Sequence, residues 1–170
     1  MFLYKPAEDS YLTLKLLDKI GGGFDVCVDV GAGSCILSRR LAEMCRLAIS
    51  TDINPRSCES CRGLGPVCSH GLSAVRRADL VVVNPPYLPP EEPPGDWEAL
   101  AIYDYGLINH VIRWAFAYRP KLIVLTISSL GRIDFVEEAL RALGFVVAEE
   151  TIHVFFEDLI SVAVAPYRFR

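Results

Sequence analysis

Two rhythms of apolar residues alternate along this chain. Leu12, Leu16, Leu17 and Ile20 repeat at helical spacing over residues 9–20, and Gly21-Gly22-Gly23 ends that run. Phe24–Val30 is a short β-rich stretch that stops at Gly31-Ala32-Gly33. A helical pattern over 36–46 and a strand-like run over 47–52 follow, then a helix opened by Pro55. A minimal strand at Val67-Cys68 leads to a strongly apolar strand at 78–83, which ends at Asn84-Pro85-Pro86-Tyr87. Beyond a proline-dense loop at 88–95, the pattern predicts a helix over 107–118 and a strand over 122–128. Asp134-Phe135-Val136-Glu137 has capping-box spacing at the head of a helix running to Leu143, with Gly144 as its stop. Two last β-rich runs, 145–156 and 159–165, are close enough to pair as a hairpin.

Helices alternating with near-continuously apolar strands predict an α/β fold. The sheet is mostly parallel, seven-stranded, covered by helices on both faces, and closed by a C-terminal antiparallel hairpin. In such open sheets a ligand binds beyond the C-terminal ends of the strands. Three predicted strand ends, at Gly31–Gly33, Asp52 and Asn84–Tyr87, fall there and point at one site.

Composition sharpens this. A length of 170 residues suits one domain, expected to run over 1–170 with segment 1–23 as a helix closing over the ligand. Hydrophobic residues make up 52% of the chain and mean hydropathy is +0.31. Yet apolar runs such as 122–127 stay far below the roughly 18–20 residues that span a bilayer. Glu8 and Asp9 also argue against a secretion signal, so a cytoplasmic protein is expected. The surplus apolar content then implies a sheet buried on both faces, a patch awaiting a partner, or both. A net charge of −4 argues against a protein that neutralises duplex phosphates. Cys58, Cys61, Cys68 and His70 invite a zinc site by spacing. Cys58 and Cys61 fall on a short helix rather than in a tight knuckle loop, so no metal is expected. Glutamine is absent and arginine outnumbers lysine, a composition that hints at a heat-adapted source, where intracellular disulfides are less unusual.

Asp29-Val30-Gly31-Ala32-Gly33 joins a strand to a helix, and glycines there permit a tight turn and close approach of backbone to ligand. A nicotinamide fingerprint would place a third glycine at position 36, which is Ile36. Asp52, roughly twenty residues on at the next strand end, suits the hydroxyls of a ribose; alone it could equally be a helix cap. Asn84-Pro85-Pro86-Tyr87 carries the chemistry. Prolines fix the backbone and leave carbonyl acceptors. The Asn84 side-chain oxygen and the Pro85 carbonyl can accept both hydrogens of an NH₂ group. Holding both N–H bonds pushes the delocalised lone pair out of plane toward an electrophile and disperses the developing positive charge. Tyr87 offers an aromatic face to the planar group.

On these residues the chain resembles the Rossmann-like class I S-adenosylmethionine-dependent methyltransferases with an Asn-Pro-Pro-Tyr motif. Within them it resembles the HemK-type protein glutamine methyltransferases, in the short archaeal and eukaryotic branch that acts on class-1 release factors. The stretch Tyr4-Lys5-Pro6-Ala7-Glu8-Asp9-Ser10 matches that branch, and the extra N-terminal domain of longer bacterial relatives is not expected. The resemblance implies that Asp29, Gly31 and Gly33 border the methionine part of S-adenosylmethionine. It further implies that Asp52 holds the ribose, Ile53 packs on adenine, and Glu8, Asp9 and Ser10 close over the amino-acid end. Asn84, Pro85, Pro86 and Tyr87 would hold the substrate amide, with Asn84 also touching the cofactor. It implies two protein partners: a release factor as substrate, and a small zinc-binding activator protein. The brief third strand at Val67-Cys68 is expected at a sheet edge, where unpaired backbone groups invite an added strand. Cys35 stands where many relatives have a third glycine. Ser69 or His70 occupies the place of the usual acidic residue near adenine. Residues 102–106 depart from the usual glycine-rich stretch. The rival readings are an adenine-N6 or guanine-N2 methyltransferase of nucleic acid, for which the chain is short and acidic, and a non-catalytic cofactor-binding module.

Overall fold

The computed structural model describes residues 3–168; residues 1, 2, 169 and 170 of the expected domain lie outside the described residues. The elements run α1 (Glu8–Ile20), β1 (Phe24–Val30), α2 (Ile36–Met44), β2 (Cys45–Asp52), α3 (Pro55–Ser60), β3 (Pro66–Cys68), β4 (Leu80–Val83), α4 (Trp97–Ile102), α5 (Leu107–Tyr118), β5 (Leu122–Ser128), α6 (Ile133–Leu143), β6 (Gly144–Val154) and β7 (Glu157–Pro166). All seven strands form one sheet in the order β3-β2-β1-β4-β5-β7-β6. β3, β2, β1, β4 and β5 pair in parallel, whereas β7 runs antiparallel to both β5 and β6. The expected mixed sheet, closing hairpin and edge position of β3 are all observed.

Strand residues alternate between two cores because successive side chains point to opposite faces. Val28, Val30, Val81, Val83, Ile123 and Leu125 pack with α5 and α6, through Val111, Ile112, Ala115, Val136 and Leu140. Cys27, Leu80, Val82 and Val124 pack on the other face with α1 and α2, through Leu16, Leu17, Leu37 and Leu41. Fully burying such a side chain contributes about 1.5–3 kcal/mol. A chain of hydroxyls pins α1 to the sheet: Thr13 Oγ1 lies 2.6 Å from Thr126 Oγ1, which donates to Ser161 Oγ at 3.0 Å. This buried row ties the N-terminal helix to β5 and β7.

One local expectation is corrected, one is met in a different backbone geometry, and one helix is added. The spacing at Asp134 and Glu137 does not make a capping box. Arg132 is the N-cap residue without a side-chain bond, and Glu137 instead pairs with Arg141 at 2.6 Å along the helix. Gly144 ends α6 as expected, in extended geometry rather than in the left-handed region. It opens β6 in extended geometry, where a Cβ would stand 2.1 Å from the Ala165 carbonyl oxygen, so only glycine permits the closest strand approach. Between the proline-dense loop at 88–95 and α5, where no element was expected, α4 forms because Asp96 caps it, accepting from the Glu98 and Ala99 amides at 3.0 and 2.9 Å.

All six cysteines are paired, Cys27 with Cys45, Cys35 with Cys61, and Cys58 with Cys68. The zinc-like spacing therefore resolves into two different bridges. One ties the glycine loop to α3, and the other ties α3 to edge strand β3. Disulfides are rare in reducing compartments, with heat-adapted organisms the exception. No helix among the described residues is long and apolar enough to cross a membrane.

Candidate active site

The three strand ends named by the sequence meet in one cleft of about 300 Å³. β1 delivers the glycine loop. Gly31 and Gly33 have φ of +74° and +51°, the region glycine enters without steric cost. The loop is held against β2 because Gly31 and Ala32 donate their amides to the Thr51 carbonyl at 2.8 and 3.0 Å. Asp52 completes the brace: its Oδ2 accepts from the Gly33 amide at 2.9 Å and its Oδ1 from the Asn54 amide at 2.7 Å. A carboxylate has about four lone-pair sites, so Asp52 keeps capacity for two hydroxyl donors. Beside it Ile53 is 48% exposed, an apolar face at the cleft wall.

Cys35 takes φ of +65°, a left-handed conformation that glycine adopts more readily. Its disulfide to Cys61 anchors the turn into α2. Of the two residues in the position of the missing acid, His70 lines the cleft, whereas the Ser69 hydroxyl turns away and donates to the Gly71 carbonyl at 3.4 Å. His70 packs edge-on against His110, with ring centroids 5.1 Å apart. His110 Nε2 in turn accepts from the Leu72 amide at 3.1 Å, and burial pushes the His110 pKa down.

From β4, Asn84, Pro85, Pro86 and Tyr87 all line the cleft. A relay of polar groups from α1 orients Asn84. Tyr4 OH donates to Asp9 Oδ2 at 3.0 Å, and Asp9 Oδ1 accepts from the Ser10 amide at 2.6 Å and hydroxyl at 3.2 Å. The Ser10 hydroxyl then accepts from Asn84 Nδ2 at 3.5 Å. This leaves Asn84 Oδ1 as a buried acceptor with no hydrogen-bond partner among the described residues. Such an atom costs roughly 1–3 kcal/mol while unpaired. Burial, and the carboxylates of Glu157, Asp9 and Glu8, push the Tyr87 pKa up, so its phenol stays neutral.

Two proposed site residues stand off the wall. Glu8 is exposed at the head of α1, and Asp29 is buried behind the glycine loop; neither lines the cleft. Asp29 Oδ2 accepts from Ser38 Oγ at 2.5 Å, while Oδ1 is the second buried acceptor without a partner. Burial pushes its pKa up to about 7. A carboxyl that holds its proton more tightly when folded adds stability at low pH, and that stability is lost as pH rises from the ordinary aspartate range through about 7. The expected result is a Tm that falls by several degrees between acid and neutral pH. The Asp29→Asn variant should flatten that slope, as scanning calorimetry of both proteins can show.

Sequence reasoning missed Tyr4 as a wall residue, although it lies in a stretch already singled out. It also missed the apolar lip made by Leu88, Trp97, Leu100, Tyr103 and Tyr105. That lip depends on α4 and on a bridge between Leu88 and Tyr103, whose neighbour Asp104 donates its amide to the Leu88 carbonyl at 2.8 Å. Ile102, Tyr103 and Tyr105 of the segment 102–106 therefore border the cleft.

A sheet of order 3-2-1-4-5-7-6 with β7 reversed, and a cleft over the ends of β1, β2 and β4, define a Rossmann-like class I methyltransferase fold. Solved structures agree. The chain superposes on the Mtq2–Trm112 complex of E. cuniculi, described as responsible for methylation of the eRF1 translation termination factor, with a TM-score of 0.78 at 24% identity, over 98% of this chain and 100% of that one. It also superposes on the N-methyltransferase NodS of Bradyrhizobium japonicum, solved with S-adenosyl-L-homocysteine, with a TM-score of 0.69 at 13% identity, over 96% of this chain and 90% of that one. These likenesses show the fold. No protein-family model matches the chain. In sequence it is similar to methyltransferase HEMK2 of Mus musculus, 39% identical over 111 residues, and to that of Homo sapiens, 34% identical over 111 residues. Each match covers 53% of this chain and 52% of the relative, so the chain spans about half the length of the curated relatives it matches. Over that matched part the chain is similar to methyltransferase HEMK2.

Proposed function

We propose that this chain is an S-adenosylmethionine-dependent methyltransferase of a glutamine side-chain amide, in the Gly-Gly-Gln loop of a class-1 translation release factor. The observation that carries the reading is the unpartnered Asn84 Oδ1 in a cleft-lining Asn-Pro-Pro-Tyr turn. A planar amide offers two N–H donors, and this turn supplies two acceptors, Asn84 Oδ1 and the Pro85 carbonyl. The cofactor fits the other half of the cleft. Asp52 has lone pairs free for the ribose hydroxyls, Ile53 and His70 flank the adenine end, and the orphaned Asp29 Oδ1 lies behind the glycine loop that would receive the methionine portion. When bound, the sulfonium supplies an electrophilic methyl group. The chain's own residues align and polarise rather than remove a proton with a strong base. Asn84 and Pro85 gain strength as acceptors while positive charge grows on the nitrogen, and Tyr87 packs against the amide plane. The lip of Trp97, Leu100 and Tyr103 screens the cleft from water.

Glu8 and Asp9 keep a structural share in this account. Asp9 orders the relay to Asn84, and Glu8 contributes negative charge near Tyr87. Among the described residues the cleft lining contains Asp9 and Asp52 but no lysine or arginine, which favours a polypeptide over a polyanion. Labelled S-adenosylmethionine offered with release factor, DNA and RNA tests this: label is expected in the release factor. Label in nucleic acid would support the rival methylation of adenine or guanine amines, and no label anywhere would support a binding module.

The second partner in the proposal is a small zinc-binding activator, and the Trm112 found with Mtq2 supports it. Edge strand β3 leaves one side without a ladder partner. Co-expression with the activator should raise soluble yield and activity, and gel filtration should show a heterodimer. Amide protection on complex formation should map to Val67 and Cys68. A monodisperse, fully active monomer, or protection confined to the opposite edge at Phe145–Val147, contradicts this placement.

A further inference from the structure

The turn between β6 and β7 is the least expected surface of the molecule. Two residues, Phe155 and Phe156, connect Val154 to its partner Glu157, and they are 85% and 92% exposed. Two-residue hairpin turns favour glycine or asparagine because they need positive φ. Here the first position is a phenylalanine held at φ of +53°. A bulky aromatic residue is disfavoured there, and two adjacent exposed rings are a solubility liability. Local turn chemistry and solvation both oppose this choice.

The turn is nevertheless rigidly braced. The Ser129 amide donates to the Asp158 carbonyl at 2.9 Å, and the Asp158 amide donates back to Ser129 Oγ at 2.9 Å. Ser128 Oγ donates to Glu157 Oε2, and His153 Nδ1 lies 2.8 Å from Asp158 Oδ1. The brace adjoins the proposed substrate site directly. A Cβ on Gly131 would come within 2.6 Å of the Tyr87 carbonyl oxygen, so the 128–131 turn packs on the Asn84–Tyr87 turn. Leu130, in the 128–131 turn, is a further apolar side chain left 50% exposed. Since β7 begins beside the C-terminal end of β5, the rings stand at the same end of the sheet as the cleft. Carboxylates border this path: Glu157 and Asp158 at the tip, Glu8 and Asp9 across from Tyr87.

We infer that Phe155 and Phe156 form a docking knob for the protein that carries the acceptor glutamine, engaging a segment in which apolar side chains stand next to basic ones. Continuity with the cleft places the knob on the substrate's path, and the acidic border sets the sign of the complementary charge. This rests on the proposed function and deepens it. The knob acts on capture of the folded substrate and leaves the methyl transfer step alone.

The test compares wild type with Phe156→Ser and, separately, Phe155→Gly, each as the complex with activator. Glycine suits the positive φ, so at least that variant keeps its turn. With intact release factor, KM should rise roughly tenfold in each, the scale of losing a buried aromatic contact, while kcat and cofactor affinity stay unchanged. With a short Gly-Gly-Gln peptide, too small to reach the knob, kcat/KM should not change. An unchanged KM for release factor in variants of an active wild type overturns the knob alone. So does loss of self-association or of activator binding without a change in KM, since the rings would then serve another interface. Failure of wild type to methylate release factor overturns both readings.

Discussion

Replacing Asn84 by alanine should lower turnover about 100-fold or more while leaving cofactor affinity nearly unchanged. Alanine removes an acceptor needed most as positive charge grows on the attacked nitrogen, so the loss appears in kcat. The geometry gives the prediction a second side. Asn84 Oδ1 is unpartnered in the free protein, so deleting it relieves a buried acceptor and should not destabilise the fold. An inactive variant that melts at or above the wild-type temperature would separate this role from structural damage. Near-normal turnover of the purified variant would move the site elsewhere.

Replacing Asp52 by alanine should weaken S-adenosylmethionine binding by about 1.5–3 kcal/mol, the range for hydrogen bonds to a charged group. Here ligand and loop share one carboxylate. The same oxygens that would receive the ribose also hold the Gly33 and Asn54 amides. Asp52→Asn is therefore informative: its amide retains one acceptor, yet cannot accept from Gly33 and meet a ribose diol at once. Both variants should lose affinity by calorimetry, with the disulfide between Cys35 and Cys61 still anchoring the far end of the loop. Unchanged affinity would remove Asp52 from the cofactor site.

Most of the frame was legible because it follows from periodicity and punctuation. The strands expected at 78–83 and 122–128 rest on near-continuous apolar runs, as a sheet buried on both faces requires, and every residue of Leu80–Val83 and Leu122–Ser128 is buried. The meeting of Gly31–Gly33, Asp52 and Asn84–Tyr87 followed from the rule that such sheets bind at their C-terminal ends. What the sequence hid depends on long-range geometry. Tyr4 reads as an ordinary aromatic until α1 brings Asp9 within 3.0 Å of its hydroxyl. The three disulfides join residues on different elements, so spacing alone does not pair them. Helix α4 is short, follows a run of prolines, and is decided by one cap at Asp96. The Phe155-Phe156 turn contradicts turn propensity outright, which is the kind of local conflict that marks a functional surface.

The proposed chemistry is tested most directly by where the methyl group ends up. Release factor incubated with this protein, the proposed activator and labelled S-adenosylmethionine would be digested, and its peptides fragmented in a mass spectrometer. The account predicts a single added methyl on the side-chain nitrogen of the glutamine in the Gly-Gly-Gln loop, absent when Asn84→Ala replaces the wild type. A methyl on any other residue, on nucleic acid alone, or equally abundant with the Asn84→Ala variant would contradict it.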